Sequence, residues 1–164
     1  MTSFLTRDRA LAILALASAG AFLFALFSQH VLGMQPCAWC ILQRMICVAI
    51  AIVAGIGWLA RRSGGLASLC LAVGFLLGIG GAIAAWYQHT VAAHAFTCDL
   101  SFADQAVTLS GLDMLLPQAF GIYATCADSA VDLLGVRYEI WTLILFVVMA
   151  LVALIGLSRG RPAA

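Results

Sequence analysis

Four long runs with almost no charge govern what this chain can fold into. They extend from about Ala10 to Gln29, Ile41 to Ala60, Leu66 to Tyr87 and Ile140 to Leu157. A helix needs roughly 20 apolar residues to cross a hydrocarbon core, and each run is close to that length. Arg44, in the first turn of the second run, is the one charge inside any of them. Lipid offers the backbone no hydrogen-bond partner, so runs of this kind are helices. They are apolar on every side, and helical periodicity adds little. Composition agrees: 65% of residues are hydrophobic and 9% charged, against about 45–50% and about 25% in a soluble domain. The expected fold class is an all-α membrane protein, a four-transmembrane-helix bundle forming one membrane domain over residues 1–164. In the first run "ALASAGA" resembles a small-residue cleavage site. The run continues through "FLFALF", past the roughly 7–15 apolar residues of a signal peptide, so an uncleaved span is expected.

Orientation follows from arginine placement, because cytoplasmic loops carry the excess of basic residues. The chain has no Lys. Arg7 and Arg9 precede the first span, Arg61 and Arg62 separate the second from the third, and Arg159 and Arg161 follow the fourth. With four spans all six fall on one side, which is then cytoplasmic, together with both termini. The other side holds Arg44 and Arg137 against Asp99, Asp104, Asp113, Asp128, Asp132 and Glu139. Three spans would break this agreement. Two loops then face outward, at about 30–40 and 88–139. The inner connection "RRSGG" is too short for a domain, so function is expected at the outer face. The net charge of +1 gives no indication of nucleic-acid binding.

Four of the six cysteines fall in the outer loops: Cys37 and Cys40 in the short one, Cys98 and Cys126 in the long one. In an oxidising compartment such thiols are oxidised or cycle through oxidation. Four cysteines allow three connectivities, and sequence does not choose among them. Structural stapling is the plainer reading of Cys98 and Cys126 taken alone. It suits "QPCAWCILQR" poorly, because a bridge across CxxC closes a very small loop and stabilises little by entropy. That spacing is typical of redox exchange, where thiolate pKa is tuned. Pro36 suits a helix start. A helix beginning near Cys37 puts both sulfurs in its first turn, at the positive end of the helix dipole. Arg44 follows Cys40 at i,i+4 and reaches the same face. An arginine within a span is costly and marks function by default; snorkelling to the headgroups is the alternative. A cation there would stabilise a thiolate or the reduced form of an electron acceptor.

His30 and His89 close the first and third spans at the depth of the CxxC, where each reads most simply as a polar cap. Trp39, Trp86 and Tyr87 read as an interfacial aromatic belt. Cys47 and Cys70, inside spans two and three, read as small packing residues. In the long loop, "GLDMLLPQAFGIY" exports much apolar surface, and a short helix lying on the membrane is expected there.

Two outward dithiols in one membrane protein suit thiol–disulfide exchange, with electrons passing between them. The electrons need an exit. Ile41 follows Cys40, so the chain lacks the C-x-x-C-H haem motif, and no glycine fingerprint opens an αβ unit. A lipid-soluble quinone reaching the membrane edge is the acceptor left by elimination.

Taken together, "QHVLGMQPCAWCILQR", "YQHT", "FTCDL", "LDMLLPQAF", "CADSAVDLLGV" and Trp141 resemble the DsbB family over nearly the whole chain. That family comprises bacterial inner-membrane oxidases of the periplasmic thiol oxidant DsbA. The resemblance implies a Cys98–Cys126 disulfide in which Cys98 forms the mixed disulfide with a DsbA-like partner. It implies that Cys126 then exchanges with Cys37, and that Cys40 is freed as a thiolate against ubiquinone or menaquinone. Arg44 would favour that thiolate and the reduced quinone, with His89 and His30 as further quinone-side candidates and no metal. The Leu112–Ile122 stretch resembles the family's membrane-surface helix. One departure is local: many relatives carry Pro-Gln just before the fourth-span tryptophan, and here Glu139 and Ile140 stand before Trp141. Two other classes compete. A non-enzymatic four-span organiser would use the loop disulfides as staples and leave the CxxC inert. A metal transporter or sensor would use Cys and His as soft ligands, with Arg44 awkwardly beside the cation.

Overall fold

A computed structural model describes residues 5–94, 101–129 and 131–159. Four long helices dominate: α1 (Arg7–His30), α2 (Ala38–Leu59), α3 (Gly64–Thr90) and, last in the chain, α7 (Tyr138–Ser158). All four are long and apolar enough to cross a membrane. They run alternately up and down, and the chain is an all-α four-span membrane protein. Between α3 and α7 the long loop carries a 3-10 turn (Ala92–His94), α4 (Phe102–Ser110), α5 (Leu112–Leu115), α6 (Pro117–Phe120) and a two-stranded hairpin, β1 (Asp132–Leu133) with β2 (Val136–Arg137).

Small residues set the helix packing. Between apolar helices in lipid, association relies on close packing rather than on water exclusion, and glycine lets backbones approach. Gly78 on α3 faces Ala150 on α7, where an added Cβ would lie 3.1 Å from the Ala150 nitrogen. Gly81 receives the Phe146 ring, and Gly156 of α7 sits against Ala10 of α1. On the α2–α3 seam, a Cβ on Gly57 would lie 2.7 Å from that of Cys70. Leu11, Leu14, Ile50, Leu71, Phe146 and Met149 fill the centre. A buried polar contact crosses it, from the Ser18 hydroxyl to the Met149 sulfur at 3.3 Å.

The arginine-rich end is closed by short polar links. Arg7 donates to the Gly64 carbonyl at 3.0 Å, Arg159 to the Leu5 carbonyl at 3.4 Å, and Arg61 lies 4.6 Å from the Trp58 ring. At the opposite end the loops fold onto one another. The backbone amides of Tyr123 and Ala124 both donate to the Pro36 carbonyl, at 3.0 and 3.2 Å. The long loop is therefore clamped directly ahead of Cys37.

Three local features differ from the sequence reading. Leu112–Ile122 is not one helix: α5 and α6 are separate single turns, broken where Leu116 departs from helical angles ahead of Pro117, as a residue before proline tends to. Trp39 is buried and its ring lies 4.8 Å from that of Tyr87, so it packs inward rather than joining an interfacial belt. The third feature is the hairpin, whose turn places Leu134 and Gly135 at φ 58° and 79°. Positive φ at both central residues is the geometry of a two-residue type I′ turn. Trp141 Nε1 donates to the Leu133 carbonyl at 3.1 Å and fastens the hairpin to α7.

A candidate redox site at the loop end of the bundle

The site is built on the start of α2. Cys37 is its N-cap residue, in extended conformation after Pro36, and Cys40 lies in the first turn. The two sulfurs are 3.4 Å apart, with Cys37 donating to Cys40. Both are free thiols. They differ in surroundings. Cys37 is fully buried and shares a cluster with Ala38, Trp39, Ala103 and Cys126. Cys40 is partly exposed and lines a cavity of about 450 Å³. The hydrogen bond to Cys40 and then burial hold the Cys37 thiol protonated well above the usual cysteine range.

A polar relay from the neighbouring helix meets the sulfurs. Gln43 Nε2 donates to Gln88 Oε1 at 2.7 Å, and Gln88 Nε2 approaches Cys40 Sγ at 3.3 Å and Cys37 Sγ at 3.8 Å. Both amides are buried. Gln43 orients Gln88 so that a donor, not an acceptor, faces sulfur. A donor favours the thiolate over the thiol. Cys40 thus accepts hydrogen bonds from two sides.

Arg44 is buried, with 7% of its surface exposed, and is not a snorkelling side chain. Its guanidinium crosses to α1 and to the long loop, donating to Gln29 Oε1 at 2.5 Å, the Ala119 carbonyl at 2.9 Å and the Ala25 carbonyl at 3.0 Å. Three of its five N–H donors therefore tie α1, α2 and α6 together, while the side chain also lines the cavity beside Cys40. The cavity lies mainly between α1 and α7. Gly20, Phe24, Leu145 and Phe146 supply apolar walls, and Gln43, Arg44 and Gln88 a polar edge. This is the usual make-up of a small-molecule site, apolar with a few convergent polar groups. A flat quinone head with an oxygen at either end suits that donor set.

The other expected site residues are placed as follows. Cys126 is fully buried and disulfide-bonded. Cys98 lies outside the described residues. His89 is outside the cavity lining; its Nδ1 is 3.2 Å from Glu139 Oε1. His30 is also outside it, with Nε2 3.1 Å from the Gln118 carbonyl. Cys47 is buried in the core and reaches the cavity floor, and Cys70 packs on the α2–α3 seam. The sequence reading overlooked Gln43, Gln88 and the inward role of Glu139. The available signal was an amide or carboxylate inside an apolar helix, where an unpartnered polar group is costly.

Comparison with known proteins points the same way. The family model for disulfide bond formation protein DsbB matches residues 7–156. A disulfide bond formation protein B from a Polaromonas species is 33% identical, over 92% of this chain and 90% of its own length. One from Paracidovorax citrulli is 32% identical, over 94% and 90%. Disulfide bond formation protein B 2 of Pseudomonas aeruginosa is 33% identical, over 86% and 85%. With four spans, a dithiol at the helix start and a match over nearly its whole length, the chain belongs to the DsbB family of disulfide bond formation proteins, and oxidoreductase chemistry on disulfides comes with that membership.

Proposed function

We propose that this chain is a protein-disulfide:quinone oxidoreductase of the bacterial inner membrane, with cytoplasmic termini and periplasmic redox loops. It reoxidises a periplasmic DsbA-like dithiol and passes the electrons to ubiquinone or menaquinone. The single observation that carries this reading is the unequal setting of the CxxC sulfurs. Cys40 opens on an apolar cavity, while Cys37 is buried with Cys126 against the long loop. Cys126 is disulfide-bonded and the other described cysteines are free, which supports a Cys98–Cys126 pair as the partner-facing disulfide.

The relay runs by thiolate attack through mixed disulfides. A partner thiolate attacks Cys98 and frees Cys126. The second partner thiol resolves that mixed disulfide, and the partner leaves oxidised. Cys126 attacks Cys37 of an oxidised Cys37–Cys40 pair, and Cys40 leaves as a thiolate. Cys98 then displaces Cys37 from Cys126, which restores the Cys98–Cys126 disulfide and leaves Cys37 and Cys40 reduced. When these two re-form their bond, two electrons leave through Cys40 into the cavity. A quinone supplies a two-electron, two-proton sink in lipid. Gln88, oriented by Gln43, holds the Cys40 thiolate, and Arg44 adds positive charge at the cavity edge. His89 bears on the cavity through Glu139, and His30 through the Gln118 carbonyl that also holds Gln29. The α5–α6 segment, with Met114 and Leu115 largely exposed, is assigned to the outer membrane surface.

Thiol trapping tests the reading. Supplied with a reduced DsbA-like protein and no quinone, the purified chain should accumulate Cys37 and Cys40 as free thiols, and added quinone should reoxidise them. A CxxC that stays oxidised throughout would leave the four-span organiser as the better description.

A further inference from the structure

Reduction of an acceptor in the cavity takes up two protons as well as two electrons, and of the two CxxC thiols only that of Cys40 lines the cavity. A second polar group reaches the cavity from α7. Glu139 is 1% exposed and lines the cavity. Its Oε1 is 2.7 Å from Arg137 Nε and 3.2 Å from His89 Nδ1. Its Oε2 is buried and has no hydrogen-bond partner among the described residues. A buried carboxylate oxygen without a partner is costly and calls for an explanation. His89 is 31% exposed, so the far side of the pair reaches the outer surface. The arrangement is a carboxyl group on the cavity lining, with one oxygen against a partly exposed imidazole and the other buried without a hydrogen-bond partner among the described residues.

We propose that the His89–Glu139 pair is the proton entry to the cavity and that Glu139 is the catalytic group that hands protons to the acceptor's oxygen. This rests on the quinone reading above. As the Cys37–Cys40 disulfide forms, the two thiols give up two electrons to the acceptor and two protons to water. The pair supplies the two protons that this reduction takes up, one at a time. Each time, the proton shared between Nδ1 and Oε1 is lost to the cavity through the carboxyl group, and His89 takes another from outer water. Arg137 holds the carboxylate in place between transfers. The sum is a dithiol and a quinone going to a disulfide and a quinol. Among the described residues, the other charged or titratable groups on the cavity lining are Tyr138 on α7 itself and Cys40, Arg44 and Cys47 on α2. Asp132 stands across the hairpin from Arg137, and α1 contributes no titratable group to the lining.

The test uses the full chain in lipid nanodiscs with decylubiquinone. Reduced enzyme is mixed with quinone and quinol formation is followed across pH in wild type and Glu139→Gln. General acid catalysis contributes about 10²–10⁴-fold, and we expect about a 100-fold loss with a flat profile, where wild type declines as pH rises. A circular dichroism spectrum and thermal melt like those of wild type report that Glu139→Gln is folded. An infrared difference spectrum of wild type on quinone reduction should show a carboxyl band that shifts in deuterium oxide. That readout needs no variant. Wild-type quinone reduction with a Glu139→Gln rate and pH profile like wild type, or no carboxyl band, overturns the proton-entry role alone. Failure of wild type to reduce quinone overturns the underlying reading instead.

Discussion

The two halves of α2 share a helix and little else. Its first turns carry Cys37, Cys40, Gln43 and Arg44, all buried or nearly so, and tied by hydrogen bonds to α1, α3 and the long loop. From Cys47 onward it carries Ile50, Ala54 and Gly57, packed against Leu11, Cys70 and Leu71. Sulfur occurs in both. At the loop end a sulfur has a second sulfur within 3.4 Å, an amide donor and an open cavity. In the core, Cys47 lies in the apolar cluster, and Cys70 faces α2 from α3 in tight packing against Gly57. Reactivity follows from these surroundings, not from the cysteine itself, because the thiolate is the nucleophile and needs a polar setting.

That contrast is broken most severely by removing a member of the relay. Cys98→Ser should abolish oxidation of a DsbA-like protein, while Cys37 and Cys40, once reduced chemically, still react with quinone in a trapping assay. Next, Arg44→Ala should slow quinone reduction by about 100-fold, the scale for losing an oriented charge-stabilising donor, and slow thiol exchange much less. Equal losses in both assays would remove Arg44 from the cavity's chemistry and leave it as a link between helices. Gln88→Leu should cost on the order of 10-fold in the same reaction, since a hydrogen bond to a charged group contributes about 1.5–3 kcal/mol. It should also lower stability by about 1–3 kcal/mol, because Gln43 loses its buried partner; a thermal melt measures this. Smallest of all, Cys70→Ala should change activity less than about twofold, within the scatter for a packing site away from special features. Loss of activity in Cys70→Ala would erase the distinction between the two kinds of sulfur.

How much of this was legible in the sequence follows the same division. The four helices were readable because lipid leaves an apolar run no alternative to helix. The start of α2 was readable from Pro36, and Cys37 is indeed the residue that caps it. Arg44 was legible as a costly charge inside a span, but its partners Gln29, Ala25 and Ala119 are 15 to 75 positions away and leave no local trace. Gln43 and Gln88 looked like ordinary polar residues near span ends; their pairing depends on the register of α2 against α3, which glycine packing sets. The Leu134–Gly135 turn was hidden because leucine rarely takes positive φ. Glu139 stood out only as a replacement for proline, and its meaning required seeing His89 beside it.

On the proposed function, the dithiol at the start of α2 connects protein thiols to a lipid-soluble acceptor. The most direct measurement is turnover of a reduced DsbA-like protein by the purified chain with added ubiquinone or menaquinone, counting partner disulfides and quinol together. One quinol is expected for each disulfide formed, and none in Cys40→Ser. Partner oxidation that proceeds at the same rate without quinone, or in Cys40→Ser, would contradict it.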